Sequence, residues 1–231
     1  MKDKSDVIFS EVVSSFNNFF KVQKKSIDLT IGLSGGLDSM VLLNVLYQLK
    51  TELNLKLSAI HVHHGLSKNA DNWSQVCLDE CKKLSVNFSQ KKININNSEG
   101  IGIEASARKA RYQILHQLSD EILVTAHHQN DQAETLILQL LRGSGLKGLA
   151  SMPPYDEERR LWRPFLKLSR DIIEEYAKRY NVKFIEDESN KNIEFDRNFL
   201  RLEILPKLIE RFPQTIKSLG RSADLVAEGL N

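Results

Sequence analysis

The 231-residue chain is 41% hydrophobic, 27% charged and 7% aromatic, a globular composition that excludes disorder, collagen-like repeats and coiled-coil arrays. Thirty-two Lys and Arg against 30 Asp and Glu leave a formal charge of +2, too little to argue nucleic-acid binding from bulk charge, so any basic surface is local. No apolar run approaches the roughly 20 residues of a membrane helix, the start from Met1 to Asp6 leads into no signal-peptide core, and Cys77 and Cys81 alone make no disulfide framework. The expectation is a soluble, cytoplasmic protein of one or two domains.

Val7 to Val22 carries apolar residues at helical spacing and predicts a first helix. Ile27 to Leu33 reads as a strand, Ser34-Gly35-Gly36 as a glycine turn, and the following stretch as a helix with Met40, Leu42, Leu43, Leu46 and Leu49 on its apolar side. Strands are then predicted over Leu55–Val62, Val86–Ile95 and Glu121–Thr125, with helices over Asp71–Leu84, Gly102–Leu118 and Gln129–Leu141 between and after them. Strands alternating with helices of this length indicate an α/β fold: a mostly parallel twisted sheet with helices on both faces and right-handed crossovers.

After Arg142 the pattern changes. Gly143 to Pro154 reads as a loop, Arg160 to Pro164 as a short edge strand, and Ser169 to Tyr180 as a helix with Ser169 at its N-cap and Asp171 in its first turn. A polar stretch, Glu186 to Asp196, precedes a small helical region broken at Pro206 and Pro213. Residues 1–212 are expected to form the main body and 213–231 to begin a helical linker.

The strongest chemical signal is Ser34-Gly35-Gly36-Leu37-Asp38-Ser39 between a strand and a helix. Two glycines let the backbone approach an anion, two hydroxyls can donate, and the helix N-terminus offers free N–H groups and its positive dipole end. Asp38 would repel a lone anion; it makes sense where Mg²⁺ bridges its carboxylate to phosphates. The alternative is a plain glycine turn with Asp38 as a first-turn helix residue. Gly143-Ser144-Gly145-Leu146-Lys147-Gly148 matches Gly-x-Gly-x-x-Gly but follows a helix and opens no βαβ unit, so the dinucleotide reading fails.

Further groups stand beside this loop. Asp131 and Glu134 are three apart at a helix start, on one face beyond a strand end; they could hold an organic cation or a metal, or simply favour the helix dipole. His61 and His63 alternate to one face of a strand, and His127 and His128 follow another. Without Cys or carboxylate at zinc spacing, these histidines are read as contacts to a nucleotide at the strand ends. Cys77 and Cys81, four apart on a helix, read as buried apolar residues. Arg108 and Arg111 could clamp phosphates or lie on a solvated face. From Arg197 onward, Arg197, Arg201, Lys207, Arg211, Lys217 and Arg221 outnumber the acids and form a local basic surface suited to phosphate contacts.

Ser-Gly-Gly-x-Asp-Ser resembles the loop of the PP-loop ATP pyrophosphatases. His61-Val62-His63-His64-Gly65-Leu66, Ile103-Glu104-Ala105, Ala107-Arg108, Arg111-Tyr112, Thr125-Ala126-His127-His128, Asp131 to Thr135, Leu141 to Gly145, Arg163-Pro164, Glu186 to Asn190, and Arg197-Asn198 with Arg201 together resemble the tRNA(Ile)-lysidine synthetase family across nearly the whole chain. The resemblance implies a ligase that uses ATP to adenylate the C2 carbonyl oxygen of the wobble cytidine in CAU-anticodon tRNA(Ile), then joins free lysine with loss of AMP. It implies ATP binding by Ser34, Gly35, Gly36, Leu37, Asp38, Ser39, His61, His63 and His127, with Asp38 on Mg²⁺. Catalytic roles fall to Asp38, Arg108, Arg111, Asp131, Glu134, Arg197 and Arg201, and lysine binding to Asp131 and Glu134. A homodimer and further tRNA-gripping domains are also implied. One departure stands out: family members commonly carry an acidic pair where this chain has Asn130-Asp131, so a role needing the first carboxylate does not carry over. Two other readings remain: a different PP-loop acceptor, or a nucleotide-binding module without chemistry.

Overall fold

The computed structural model describes residues 4–20, 25–63, 70–92 and 122–230. Its centre is β1 (Ile27–Gly32), where Leu29 and Ile31 on one face and Thr30 on the other are all buried, as expected for a strand covered on both faces. β1 pairs in parallel with β2 (Leu55–His63) on one side and with β4 (Ile122–Val124) on the other, and β2 pairs in parallel with β3 (Asn87–Lys92). The full order is β3-β2-β1-β4-β6-β5. The chain thus builds outward from β1 in one direction, then returns to its other flank. That reversal between β1 and β4 opens a crevice beyond their C-terminal ends, where open α/β sheets bind ligands.

Helices cover the sheet for legible reasons. α1 (Lys4–Phe19) buries Ile8, Val12 and Phe16, one stripe at four-residue spacing. α2 (Leu37–Leu49) buries Met40, Val41, Leu42, Leu43, Val45, Leu46 and Leu49, so it is enclosed on nearly all sides rather than along the single apolar side expected. α3 (Ala70–Lys83) places Cys77 and Cys81 in the core as free thiols, and burial pushes both up to about 12, leaving them inert thiols. α4 (Gln129–Leu141) matches its expected bounds.

The second half corrects several expectations. The Arg160–Pro164 segment is not an edge: β6 (Leu161–Trp162) lies inside the sheet, parallel to β4, and the antiparallel edge is β5 (Tyr155–Asp156). Trp162 draws the strand inward, packing edge-on against Phe16 and Phe20 and donating its indole N–H to Ser15 Oγ at 3.0 Å. The expected loop from Gly143 holds a short helix, α5 (Leu146–Leu149), in a turn so tight that a Cβ on Gly148 would stand 2.6 Å from Ser144 Cβ. α6 (Arg170–Arg179) has Ser169 at its N-cap position, but the Ser169 side chain makes no capping bond; Asn130 Oδ1 on α4 instead accepts from the Arg170 N–H at 3.1 Å.

The run from Asp196 to Arg211 is not broken at Pro206. α7 (Asp196–Phe199) passes through a π-turn over Leu200–Ile204 into α8 (Leu205–Arg211), which holds Pro206 in its first turn. A proline needs no donor there, and the widened turn relieves its clash with the preceding backbone. The break at Pro213 is real, and α9 (Thr215–Glu228) resumes beyond it. α9, expected as the start of a linker, packs along α4 and α5. The helix expected over 102–118, with Arg108 and Arg111, lies outside the described residues, as does His64.

Candidate active site

The loop from Ser34 to Ser39 leaves the end of β1 and is held from within. Ser39 Oγ donates to the Gly36 carbonyl at 3.0 Å and accepts from the Ser34 N–H at 3.2 Å, while Ser34 Oγ, 3.0 Å from Ser39 Oγ, accepts from the Gly36 N–H. Ser39 is therefore an inward brace rather than the surface donor expected; Ser34 is exposed. Gly35 adopts φ +87°, and a Cβ there would press within 3.3 Å of Cys77 Sγ, so both its conformation and its space demand glycine. Its carbonyl accepts from the Ile185 N–H at 2.9 Å, tying the polar 186–196 segment to the loop. No side chain caps α2, so its first N–H groups remain available to an anion.

His61, expected to touch a nucleotide, is only 3% exposed; its Nδ1 lies 2.8 Å from the Leu33 carbonyl. The ring supports the floor of the loop from below. His63 contributes the last backbone position of β2. His127 is half-buried at the end of β4, with Nδ1 2.9 Å from Thr125 Oγ1.

The residue that joins the two halves of the crevice is His128, expected as a nucleotide contact at the strand end and found instead as a helix cap. It is 1% exposed and forms a reciprocal cap on α4: its N–H donates to Asp131 Oδ2 at 3.0 Å, and its Nδ1 accepts from the Asp131 N–H at 3.4 Å. Its Nε2 lies 3.7 Å from Asp38 Oδ2. Burial works against a charged ring, but Asp131 and Asp38 outweigh it and raise the pKa above the ordinary histidine value. In the imidazolium, Nδ1 turns from acceptor to donor toward Asp131 Oδ2, 3.5 Å away. The spacing of His128 and Asp131 is that of a capping box, a signal present in the sequence.

One turn further along α4 the carboxylates meet the arginines of α7 and the π-turn. Glu134 is completely buried. Arg201 grips it as a fork, Nε to Oε1 at 2.7 Å and Nη2 to Oε2 at 2.9 Å, and also donates to Asp131 Oδ1 at 3.2 Å. Arg197 Nε lies 3.2 Å from Glu134 Oε2, and its Nη2 donates to Thr135 Oγ1 at 2.6 Å. Thr135 in turn donates to the Asp131 carbonyl. The expected lysine-holding role of Glu134 is thus corrected: two guanidiniums enclose it, and only Asp131, 13% exposed, faces outward. Three carboxylates, Asp38, Asp131 and Glu134, thus gather around two guanidiniums and the His128 ring.

Asp38 is the carboxylate with an open end. Its Oδ1 is buried without a hydrogen-bond partner. Among the described residues no three His, Cys, Asp or Glu side chains gather around one point as a metal cage.

A model of the PP-loop domain matches residues 9–208. The chain belongs to the PP-loop family. As a PP-loop protein it is similar to tRNA(Ile)-lysidine synthases: 50% identical over 200 residues to that of Histophilus somni (84% of this chain, 46% of the relative), and 43% over 226 residues to that of Actinobacillus pleuropneumoniae serotype 3 (96% and 52%). The chain spans about half the length of these relatives. Among solved structures, the U34-tRNA thiolase NcsA from Methanococcus maripaludis superposes with a TM-score of 0.82 at 18% identity, covering 97% of this chain and 79% of the thiolase. NMN synthetase from Francisella tularensis gives 0.53 at 14%, covering 97% and 94%. At these identities the likeness shows the fold alone.

Proposed function

We propose that this PP-loop protein carries the chemistry of a tRNA(Ile)-lysidine synthase. ATP adenylates the C2 oxygen of the wobble cytidine in CAU-anticodon tRNA(Ile) and releases pyrophosphate; the amine of free lysine then attacks C2 and expels AMP. The observation that carries the reading is identity of 43–50% to synthases of that name over 84–96% of the chain. The crevice between β1 and β4 supports it, because one edge is built for phosphates and the facing edge for a cation.

In this reading the uncapped start of α2, with Gly35 and Leu37, binds the triphosphate through backbone N–H groups, Gly36 lets the chain approach closely, and the exposed Ser34 hydroxyl donates alongside. The partnerless Asp38 Oδ1 fits a divalent cation, which a lone carboxylate plus phosphate oxygens can hold without a protein cage. When bound, Mg²⁺ supplies charge neutralisation for pyrophosphate departure. His128 keeps Asp38 and Asp131 at fixed separation. Asp131 attracts the lysine ammonium, while Glu134 anchors Arg197 and Arg201 beside the reacting phosphate and RNA. Arg108 and Arg111 belong to the same reading as phosphate contacts, as do cytoplasmic location and a homodimer.

The test is incorporation of radiolabelled lysine into an unmodified CAU-anticodon tRNA(Ile) transcript with ATP and Mg²⁺. The reading expects labelling that Asp38→Ala abolishes; ATP-dependent pyrophosphate release without lysine transfer would point instead to another acceptor.

A further inference from the structure

Among the described residues Arg170 lies beside the ion cluster of α4 without joining it. Arg170 opens α6 and lines a small pocket of about 70 Å³ together with Asn130, Glu134, Arg201, Leu205 and Ile209. That volume is below the cavity that a benzene ring fills, so it admits one end of a small molecule and not a nucleotide. Its polar groups and its apolar wall are separately supplied: α4, the π-turn and α6 bring the charges, and α8 brings the aliphatic side chains.

The charges in this wall are unequal. Arg201 spends its Nε and Nη2 on Glu134 and Asp131. Arg170 gives only its Nε, to Glu174 Oε1 at 3.0 Å, in a pair that is about one-third exposed on both sides. Among the described residues its two terminal nitrogens make no hydrogen bond or ion pair. Asn130, beside it, is itself held, since its Oδ1 accepts from the Arg170 N–H. A planar guanidinium with open terminal donors, fixed at its base and set against an aliphatic wall, is a receptor for a small carboxylate on an aliphatic stem. Asp131, next to Asn130 on α4, accepts from Arg201 and the His128 N–H and keeps 13% of its side chain exposed.

We propose that Arg170 is a specificity-determining residue that reads the α-carboxylate of the amino-acid co-substrate, an inference that rests on the ligase reading above. The aliphatic stem runs along Leu205 and Ile209, and the distal amine is delivered toward Asp131 and the activated base. Recognition of the carboxylate lets the site reject diamines of the same length, which carry the same nucleophile.

The experiment titrates the chain, saturated with a non-hydrolysable ATP analogue, with lysine and with cadaverine, the diamine that lacks the carboxylate. The wild type is expected to prefer lysine by roughly 10- to 100-fold, the worth of a bidentate charge-assisted contact. Arg170→Ala is expected to erase that preference while leaving cadaverine binding within about twofold. Arg170→Lys, which retains charge but not the fork, is expected to keep part of it. Equal binding of both ligands by the wild type, or an Arg170→Ala variant that still prefers lysine, overturns the proposal and leaves the ligase reading standing. A wild type that binds neither ligand overturns the lysine part of that reading and the proposal with it. Unchanged melting temperatures in both variants separate lost recognition from lost folding.

Discussion

The two edges of the crevice are built by opposite means. The β1–α2 edge is a loop of six consecutive residues whose hydroxyls, glycines and backbone bonds satisfy one another locally, with one carboxylate, Asp38, left open. The α4 edge is an ion network drawn from segments more than 60 residues apart, with Glu134 completely buried under Arg197 and Arg201. A local loop can afford an unsatisfied group because its frame stands without that group. A long-range ion cluster cannot, because each member is the counter-charge of another. The first edge is thus tuned for ligand and the second for position, and mutations should separate them.

The sharpest separation is at Glu134. Glu134→Ala leaves two partly buried guanidiniums without their shared anion, which costs about 3 kcal/mol and lowers the melting temperature by roughly 6–12 °C for a domain of this size. A melt within 2 °C of wild type would mean that the arginines find other partners and that the cluster does not hold the second half in place. Asp38→Ala is the mirror case. It should reduce lysine labelling of tRNA by a factor of about 10² to 10³, yet leave the melting temperature unchanged or slightly raised, because it removes a buried oxygen that has no partner. A destabilised Asp38→Ala would show that the loop, too, depends on its charge.

How much of this could be read from sequence follows the same division. The loop, β1, α2 and the bounds of α4 were legible because each depends on neighbours a few residues away. The shared face of Asp131 with Glu134 and the basic character of the run from Arg197 were also legible, but the pairing of Arg197 and Arg201 with those carboxylates was not, since no spacing rule links residues 67 apart. The interior place of Leu161–Trp162 escaped for a related reason: a two-residue strand has no period, and its burial is decided by Phe16 and Phe20 on α1. The π-turn that aims Arg201 was hidden behind Pro206, which reads as a break unless the widened turn before it is known. The capping role of His128 was the avoidable omission, because its three-residue spacing to Asp131 is a cap pattern.

The network edge also predicts a pH response. Burial pushes the Asp131 carboxyl up, but His128, His127, Arg197 and Arg201 together hold it well below the usual carboxylate range. A depressed carboxylate contributes stability that is complete above its unfolded value near pH 4 and is lost as pH falls below it. Between about pH 5 and pH 3 the wild type should therefore lose melting temperature more steeply than Asp131→Asn, in which this group does not titrate. Parallel acid limbs for the two proteins would remove Asp131 from the ion cluster in solution.

Asn130 joins the two kinds of construction, and its effect should be the smallest. It sits on the network helix, yet its bond is a local one: its Oδ1 caps α6 through the Arg170 N–H, where Ser169 makes no side-chain cap. The neighbouring Gln129 N–H donates to the Leu168 carbonyl at 2.9 Å, so two adjacent residues strap the start of α4 to the start of α6. Asn130→Ala removes one strap and should cost about 1 kcal/mol, the usual worth of a helix cap. Asn130→Asp keeps an acceptor oxygen in the same place and adds a negative charge at a helix N-terminus, which is favourable there, although it also adds a carboxylate near Asp131 and Glu134. If capping is the function of this side chain, the aspartate variant recovers the melting temperature lost in the alanine variant. If repulsion by the acidic neighbours dominates, the aspartate variant melts below alanine, and the neutral amide is then what allows the two helices to meet at a site already crowded with negative charge.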